Sequence, residues 1–328
     1  MTSIHDVARE AGVAISTVSK VLNHYPNVSS ETRERVEEAI RKLHFVPNAA
    51  ASALSSKQAA RIALIINPGE TGVTDEINMQ YLAGAFRGAQ ELGLDVVTVF
   101  SPLAEQRSLS EMIQYFGTQS IAGLVIFNLN RQQTTLRELI RSGEFRTVTV
   151  DAPVVDRHAS SVSVDNAQAQ YDVAERIYDP ARTKKVLYIA GDKSGYVSSQ
   201  RLEGIRRLAD ERGFALTVRM GEFSQKKARE ITGECALVHD AVVCASDMMA
   251  IGAMRRLIEM DIFRPVCGFD GLSLMGYAGK QMYTVRQDFD SIACAAVTEL
   301  HRLMNGGEGQ QILVPYEIVR MTYEDVIR

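Results

Sequence analysis

The chain has no tryptophan, and only four of its 328 residues are cysteine. Those four, Cys235, Cys244, Cys267 and Cys294, form no C-x-x-C pair, and each lies in an apolar stretch. That spacing excludes a zinc ribbon and a disulfide framework and predicts reduced, buried thiols. No apolar run approaches the ~18 residues a membrane-spanning helix needs. The N-terminal Met1-Thr2-Ser3-Ile4-His5-Asp6 lacks a basic segment followed by an apolar one. A chain without a secretory signal, kept in the cytoplasm and away from membranes, is therefore expected. Nucleotide-binding loops are missing too. Asn67-Pro68-Gly69-Glu70 follows the first candidate strand where a dinucleotide-binding enzyme would carry Gly-x-Gly-x-x-Gly. There is no phosphate-binding loop and no Gly-x-Ser-x-Gly elbow, and the six histidines are scattered. The reading is of a protein that is not an enzyme and holds no cofactor or metal.

What is present is uneven in charge and texture. The net charge is −4. Residues 1–60 carry seven Lys/Arg against six Asp/Glu, leaving +1 for that segment and −5 for the remainder. A length of 328 exceeds one compact core of ordinary size, so two or three units are expected.

Residues 3–45 read as three short helices. Ser3 is placed to cap the first, with Asp6 three residues on as its capping-box partner. Ile4, Val7, Ala8 and Ala11 share one face, and Gly12 breaks the pattern. Val18, Val21 and Leu22 form a second apolar stripe within Ala14–Asn23. After a loop containing Pro26, Ser29 caps a third helix with Val36, Ile40 and Leu43 on one side. Two helices joined by a short Gly-containing turn, followed by a third, make the helix-turn-helix pattern. Pro47 ends this unit. The stretch Asn48–Lys57 has good helix formers but is too short to be stable alone in water. It reads as a hinge that folds when something docks on it. The expected division is 1–46 as the helical head, 47–57 as a hinge helix and 58–328 as an α/β body.

From Arg61 onward, candidate strands alternate with amphipathic segments. The strands are Ile62–Ile66, Val96–Phe100, Leu124–Phe127, Val148–Val150, Val186–Ala190, Ala241–Ala245 and Val266–Phe269. Continuous apolar strands separated by helices imply parallel sheets covered on both faces, here as two lobes.

The head's pattern carries a resemblance. Ile4-x-Asp6-Val7-Ala8-x-x-Ala11-Gly12-Val13-x-x-x-Thr17-Val18-Ser19-x-Val21-Leu22-Asn23 is followed by Val28-Ser29-x-x-Thr32-Arg33-x-x-Val36 and Pro47-Asn48-x-x-Ala51-x-x-Leu54. It closely resembles the LacI/GalR family of bacterial regulators. The later signposts Val164-Asp165-Asn166, Arg201-Leu202-Glu203-Gly204, Ala245-Ser246-Asp247 and Gly268-Phe269-Asp270 continue the likeness through a body of the periplasmic sugar-binding-protein type.

The resemblance implies a dimeric repressor on a near-palindromic double-stranded operator, with recognition helices in successive major grooves. It places Ile15, Ser16 and Lys20 at base-reading positions and Thr17, Ser19 and Asn23 at phosphate-contacting ones. Ser3, Val28, Ser29, Asn48 and Ala51 complete the expected DNA-binding set, and Leu54 matches a leucine that wedges into the minor groove. Ala14 stands where relatives usually carry a capping Ser, a loss that costs about 0.5–2 kcal/mol of helix stability. Lys20 stands where Arg is frequent, which removes the bidentate fork.

For the body, the resemblance implies an effector in the cleft between the lobes: a sugar, sugar phosphate or nucleoside-like metabolite. Arg201 and Asp270 are the leading contacts, followed by Asp151 and Ser246. Asp247 is either a contact or only the cap of the helix that starts at Met248, and Asp165 is expected to be structural. With no tryptophan, stacking on a sugar face falls to Tyr81, Phe127 or Tyr196. No heptad tail follows the body, which favours a dimer over a tail-linked tetramer. The competing readings are a regulator of the same fold controlled by a partner protein, as in catabolite-control members, or a sugar-binding transport protein.

Overall fold

The structure is a computed structural model, and it describes residues 3–22, 28–43, 45, 60–67 and 74–321. The head holds α1 (Ile4–Ala11), α2 (Ile15–Leu22) and α3 (Ser30–Lys42). Ser3 and Asp6 form the expected capping box, with Ser3 N donating to Asp6 Oδ2 at 3.0 Å. Gly12 ends α1 at φ 63°, a left-handed turn that suits glycine. Ser29 Oγ accepts from Thr32 N and caps α3. The small core joins Val7, Ala8, Val18, Val21 and Val36. Arg35 donates to Ala11 O at 2.6 Å and ties α3 to the end of α1.

The body begins at β1 (Arg61–Ile66) and continues through α4 (Thr74–Glu91), β2 (Asp95–Phe100), α5 (Ser101–Glu105), α6 (Leu109–Thr118), β3 (Ile121–Phe127), α7 (Thr134–Ser142), β4 (Arg146–Val150) and β5 (Ala159–Ser163). There follow α8 (Asn166–Glu175), β6 (Lys185–Ala190), α9 (Tyr196–Arg212), β7 (Ala215–Met220), α10 (Gln225–Cys235), β8 (Ala241–Cys244), α11 (Asp247–Glu259), β9 (Val266–Cys267) and β10 (Met282–Arg286). Last come α12 (Phe289–Met304), β11 (Gln311–Leu313) and β12 (Glu317–Met321).

Two six-stranded sheets result. Their orders are β2-β1-β3-β4-β5-β11 and β7-β6-β8-β9-β10-β12. Among the described residues, the strand pairings within these sheets are parallel except β10 with β12. Ile62 through Ile66 are all buried, as a strand covered by helices on both faces requires. Every strand expected from the sequence is present, although β9 is only two residues long. The strands β5, β7, β10, β11 and β12 were not expected.

The chain passes between the lobes three times. After β5 it enters the second lobe, where α8 packs on α9 and β10. After β10 it returns, and α12 packs on α4 and the first sheet. After β11 it crosses again to β12. Close helix approach marks both sides of these crossings. A Cβ on Gly84 of α4 would lie 2.0 Å from Asp290 O of α12. A Cβ on Gly204 of α9 would lie 2.0 Å from Ala167 O of α8. Cys235, Cys244 and Cys267 are buried and free, but Cys294 is only half-buried, which corrects the expectation for that thiol. Among the described residues no helix is long and apolar enough to cross a membrane.

Candidate functional site

Two regions carry the candidate residues. The first is the outer face of α2. Val18 and Val21 point into the head's core, so the 100° turn per residue sends Ile15, Ser16 and Lys20 outward, and all three are exposed. Thr17 and Ser19 are half-buried beside them. Ala14 precedes the helix, and its carbonyl accepts from Thr17 N and Val18 N at 2.9 and 3.2 Å. Ser3 and Ser29, at the starts of α1 and α3, are engaged as caps, and Val28 is half-buried. Asn23, Asn48, Ala51 and Leu54 lie outside the described residues.

The second region is the cleft at the carboxyl ends of both sheets. Asp151 follows β4 at φ 61° and Asp270 follows β9 at φ 120°. Such left-handed backbone on a non-glycine residue marks a locally constrained position. Arg201, six residues into α9, is buried. Its Nε donates to Asn166 Oδ1 at 2.9 Å, and Nη1 donates to Ala245 O at 2.6 Å and Asp270 Oδ1 at 3.4 Å. Its guanidinium lies 3.5 Å from the Phe269 ring centroid. From the first lobe, Tyr81 OH donates to Asp151 Oδ2 at 2.9 Å. The Tyr81 ring packs 4.7 Å from Phe127 and 5.2 Å from Phe289.

Electrostatics follow from this crowding. Burial raises the pKa of Asp151, against the opposing pull of Arg201, the Tyr81 hydroxyl and Asn166. Asp270 is pushed up to about 6, first by burial, with the charge of Asp151 adding and Arg201 opposing. Burial and Asp151 hold the Tyr81 phenol well above its ordinary range, so it stays a donor.

Three candidates need revision. Asp247 does not face the cleft: its Oδ2 accepts from Gly271 N and Leu272 N at 2.8 and 2.7 Å, and its Oδ1 accepts from Thr284 Oγ1 at 2.6 Å. It is fully buried and fixes the loop that carries Asp270, so neither the contact nor the cap role applies. Ser246 is the cap instead, its side chain accepting from Met249 N. Tyr81 and Phe127 are stacked on each other and closed off from solvent, so they do not present a free stacking face. Asp165, expected to be structural, caps α8 through Gln168 N.

Tyr196 sits at the cleft mouth in a contact the sequence did not suggest. Arg131 of the first lobe lies 4.4 Å from the Tyr196 ring centroid. Arg131 also donates from Nη1 to Gly195 O at 2.9 Å, from Nη2 to Ser199 Oγ at 3.0 Å and from its backbone N to Ser194 O at 3.0 Å. Elsewhere along the mouth, Ser273 Oγ donates to Glu76 Oε1 at 3.2 Å. The lobes are thus latched together around the buried charges. Sequence reasoning also missed Asn78, Asn166 and Gln287. Of these only Asn166 carried a signal, its place in Val164-Asp165-Asn166.

Comparison with known proteins decides the family. The model for bacterial regulatory proteins of the lacI family matches residues 3–48, and that for a periplasmic binding protein-like domain matches residues 181–321. The chain belongs to the LacI family. Catabolite control protein A of Staphylococcus aureus (strain N315) is 25% identical over 337 residues, covering 96% of this chain and 97% of that protein. The HTH-type transcriptional regulator RegA of Clostridium saccharobutylicum is 26% identical and covers 94% of each chain. The lac repressor bound to ONPG in its repressed state superposes with a TM-score of 0.68 at 26% identity, over 97% of this chain and 98% of that one. A cellobiose complex of the transcriptional regulator CelR shares the fold, with a TM-score of 0.69 at 23% identity over 98% and 100%. This LacI-family chain is a regulator of transcription with a DNA-binding head and an effector-binding body, and not an enzyme.

Proposed function

We propose that this regulator is a cytoplasmic repressor that binds a near-palindromic operator as a homodimer and releases or tightens its hold when a small molecule enters the cleft. The head spans 1–46, the hinge 47–57 and the body 58–328. Ile15, Ser16 and Lys20 read base edges, and Thr17, Ser19 and Asn23 hold phosphates. Ser3, Val28, Ser29, Asn48 and Ala51 complete the contact surface. The observation that carries this reading is the outer face of α2, polar and exposed over a helix anchored by Val18 and Val21.

A single head of net charge +1 holds DNA weakly, because affinity grows with the number of phosphates neutralised. Two heads on one operator answer this. Support for pairing comes from exposed apolar side chains on the body. Met79 and Phe86 lie on α4, and Ile258, Leu274 and Tyr277 surround a depression of about 560 Å³ beside α11. Sedimentation velocity tests the pairing. The full chain is expected to run as a dimer, and Ile258→Asp to shift it towards monomer by at least tenfold in dissociation constant. A wild-type monomer at micromolar concentration contradicts it.

In the cleft, Arg201 and Asp270 are the proposed effector contacts with Asp151 opposite them. Ser246 and Tyr196 border the site, and Tyr81 and Phe127 back it. The lac repressor's complex with ONPG supports a sugar-like effector for this fold.

A further inference from the structure

The helix that reads DNA is short and depends on its neighbours for its direction. α2 has only eight residues, and Ala14 before it offers no side-chain oxygen to cap its first turn. A helix of that length is unstable alone, so what surrounds it sets its position. Val18 and Val21 fix one side in the head's core. The other constraint is the turn Gly12-Val13-Ala14, which leads from α1 into α2. There, Val13 N donates to Ala8 O at 3.0 Å and Gly12 N donates to Arg9 O at 3.3 Å. Those bonds satisfy carbonyls further back in α1 and leave those of Ala11 and Gly12 to partners outside the turn.

Arg35 of α3 is that partner. Its Nη2 donates to Ala11 O at 2.6 Å and reaches Gly12 O at 3.4 Å, so one cation bridges the last residue of α1 and the first residue of the turn. The C-terminal end of a helix carries partial negative charge, which favours a guanidinium there. The fit is close. A Cβ on Gly12 would lie 2.9 Å from Nη2, on a residue whose φ of 63° already suits glycine. A second tie between the same helices, Lys42 Nζ to Glu10 Oε1 at 2.6 Å, is exposed, and such a surface pair contributes little. The Arg35 bond to Ala11 is half-buried and joins residues 24 positions apart.

Resting on the DNA-reading face proposed above, we infer that Arg35 is a positioning residue for operator recognition: without touching DNA itself, it fixes the turn from which α2 projects. Composition counts Arg35 among the seven cations of residues 1–60 that could meet phosphates, but its charge is committed to the protein's own carbonyls. Base reading is the step that such a clamp serves. Hydrogen bonds to base edges weaken steeply with misalignment, whereas phosphate contacts carry no sequence information and tolerate displacement. Release of the turn therefore costs sequence selectivity before it costs general affinity for DNA.

Fluorescence anisotropy of the full chain tests this, on a duplex enriched from a random pool and on a scrambled duplex of the same length. Arg35→Met keeps the aliphatic stem and removes the charge and the donors. It is expected to weaken binding to the enriched duplex about tenfold or more, to leave the scrambled duplex within about twofold, and to keep the wild-type slope of affinity against salt. Arg35→Lys, which restores a cation and a donor, should recover part of the loss. Both are assayed where circular dichroism shows wild-type helix. If Arg35→Met falls short of that, Arg35→Gln, with donors but no charge, takes its place under the same criteria. Equal losses on both duplexes with a shallower salt slope would make Arg35 a phosphate contact and overturn the inference. So would wild-type selectivity, whatever the melting temperature. A wild-type chain that enriches no duplex, or does not distinguish the two, overturns the DNA-reading proposal and the role of Arg35 with it.

Discussion

At the scale of single residues, the buried carboxylates decide most. Asp270 is a carboxylic acid in a place that disfavours its charge, and its pKa of about 6 exceeds the unfolded value near 3.8. The folded state therefore binds more protons than the unfolded state between those values. Stability owed to Asp270 falls as pH rises from about 4 to about 6, and the loss is complete above that. Thermal unfolding of wild type and Asp270→Asn across pH 4–8 is expected to show the wild type losing ground relative to the variant over that window. A constant difference would mean that Asp270 titrates normally. Chemistry of this kind was partly legible beforehand. Arg201 and Asp270 stood out through the family resemblance, in Arg201-Leu202-Glu203-Gly204 and Gly268-Phe269-Asp270. Asp247 misled, because a carboxylate at a helix start has the same sequence context whether it faces a ligand or holds a loop. Only the positions of Gly271, Leu272 and Thr284 separate the two cases. Asn78 and Gln287 gave no signal, since a neutral amide enters the site through tertiary position alone.

At the scale of elements, strands and helices with apolar repeats were legible and polar or edge strands were not. β5 reads Ala-Ser-Ser-Val-Ser, without the apolar run of a central strand, yet it is buried throughout. Ser160 finds a distant partner, its Oγ donating to Glu299 Oε1 of α12 at 2.5 Å, while Ser161 Oγ is buried without one among the described residues. Edge strands such as β12 and β7 are half-exposed and carry charges that hide their period. Helix contact depends on small residues. Gly204→Ala should force α9 away from α8 and cost about 1–3 kcal/mol, read as a lower chemical-denaturation midpoint. An unchanged midpoint would show that the two helices yield freely. The latch is a second testable contact. Arg131→Ala removes the side-chain bonds to Gly195 O and Ser199 and the contact with Tyr196. Faster amide exchange is expected in residues 128–133 and 191–196, with a larger radius of gyration by solution scattering. Wild-type values in both would mean that the lobes are held shut by other contacts.

At the scale of the whole molecule, the head-then-body order and the two-lobed body were legible because helical and strand periods change abruptly near Arg61. The three crossings between lobes were not, because they follow strands whose own pattern was weak. They matter to regulation. A ligand that prefers one lobe arrangement shifts the population of the whole chain towards it, and DNA affinity follows by linkage. The hinge is where that coupling would reach DNA. Leu54→Ser is expected to weaken operator binding at least tenfold and to reduce DNA bending, measured by mobility of circularly permuted fragments; unchanged affinity and bend would remove the wedge. The most direct test of the central claim is to recover, from a random duplex pool, the sequences the full chain binds. A near-palindrome is expected whose half-sites lie about one helical turn apart, about 10 base pairs between centres. Recovery of no enriched sequence, or of a single unpaired half-site, would contradict it.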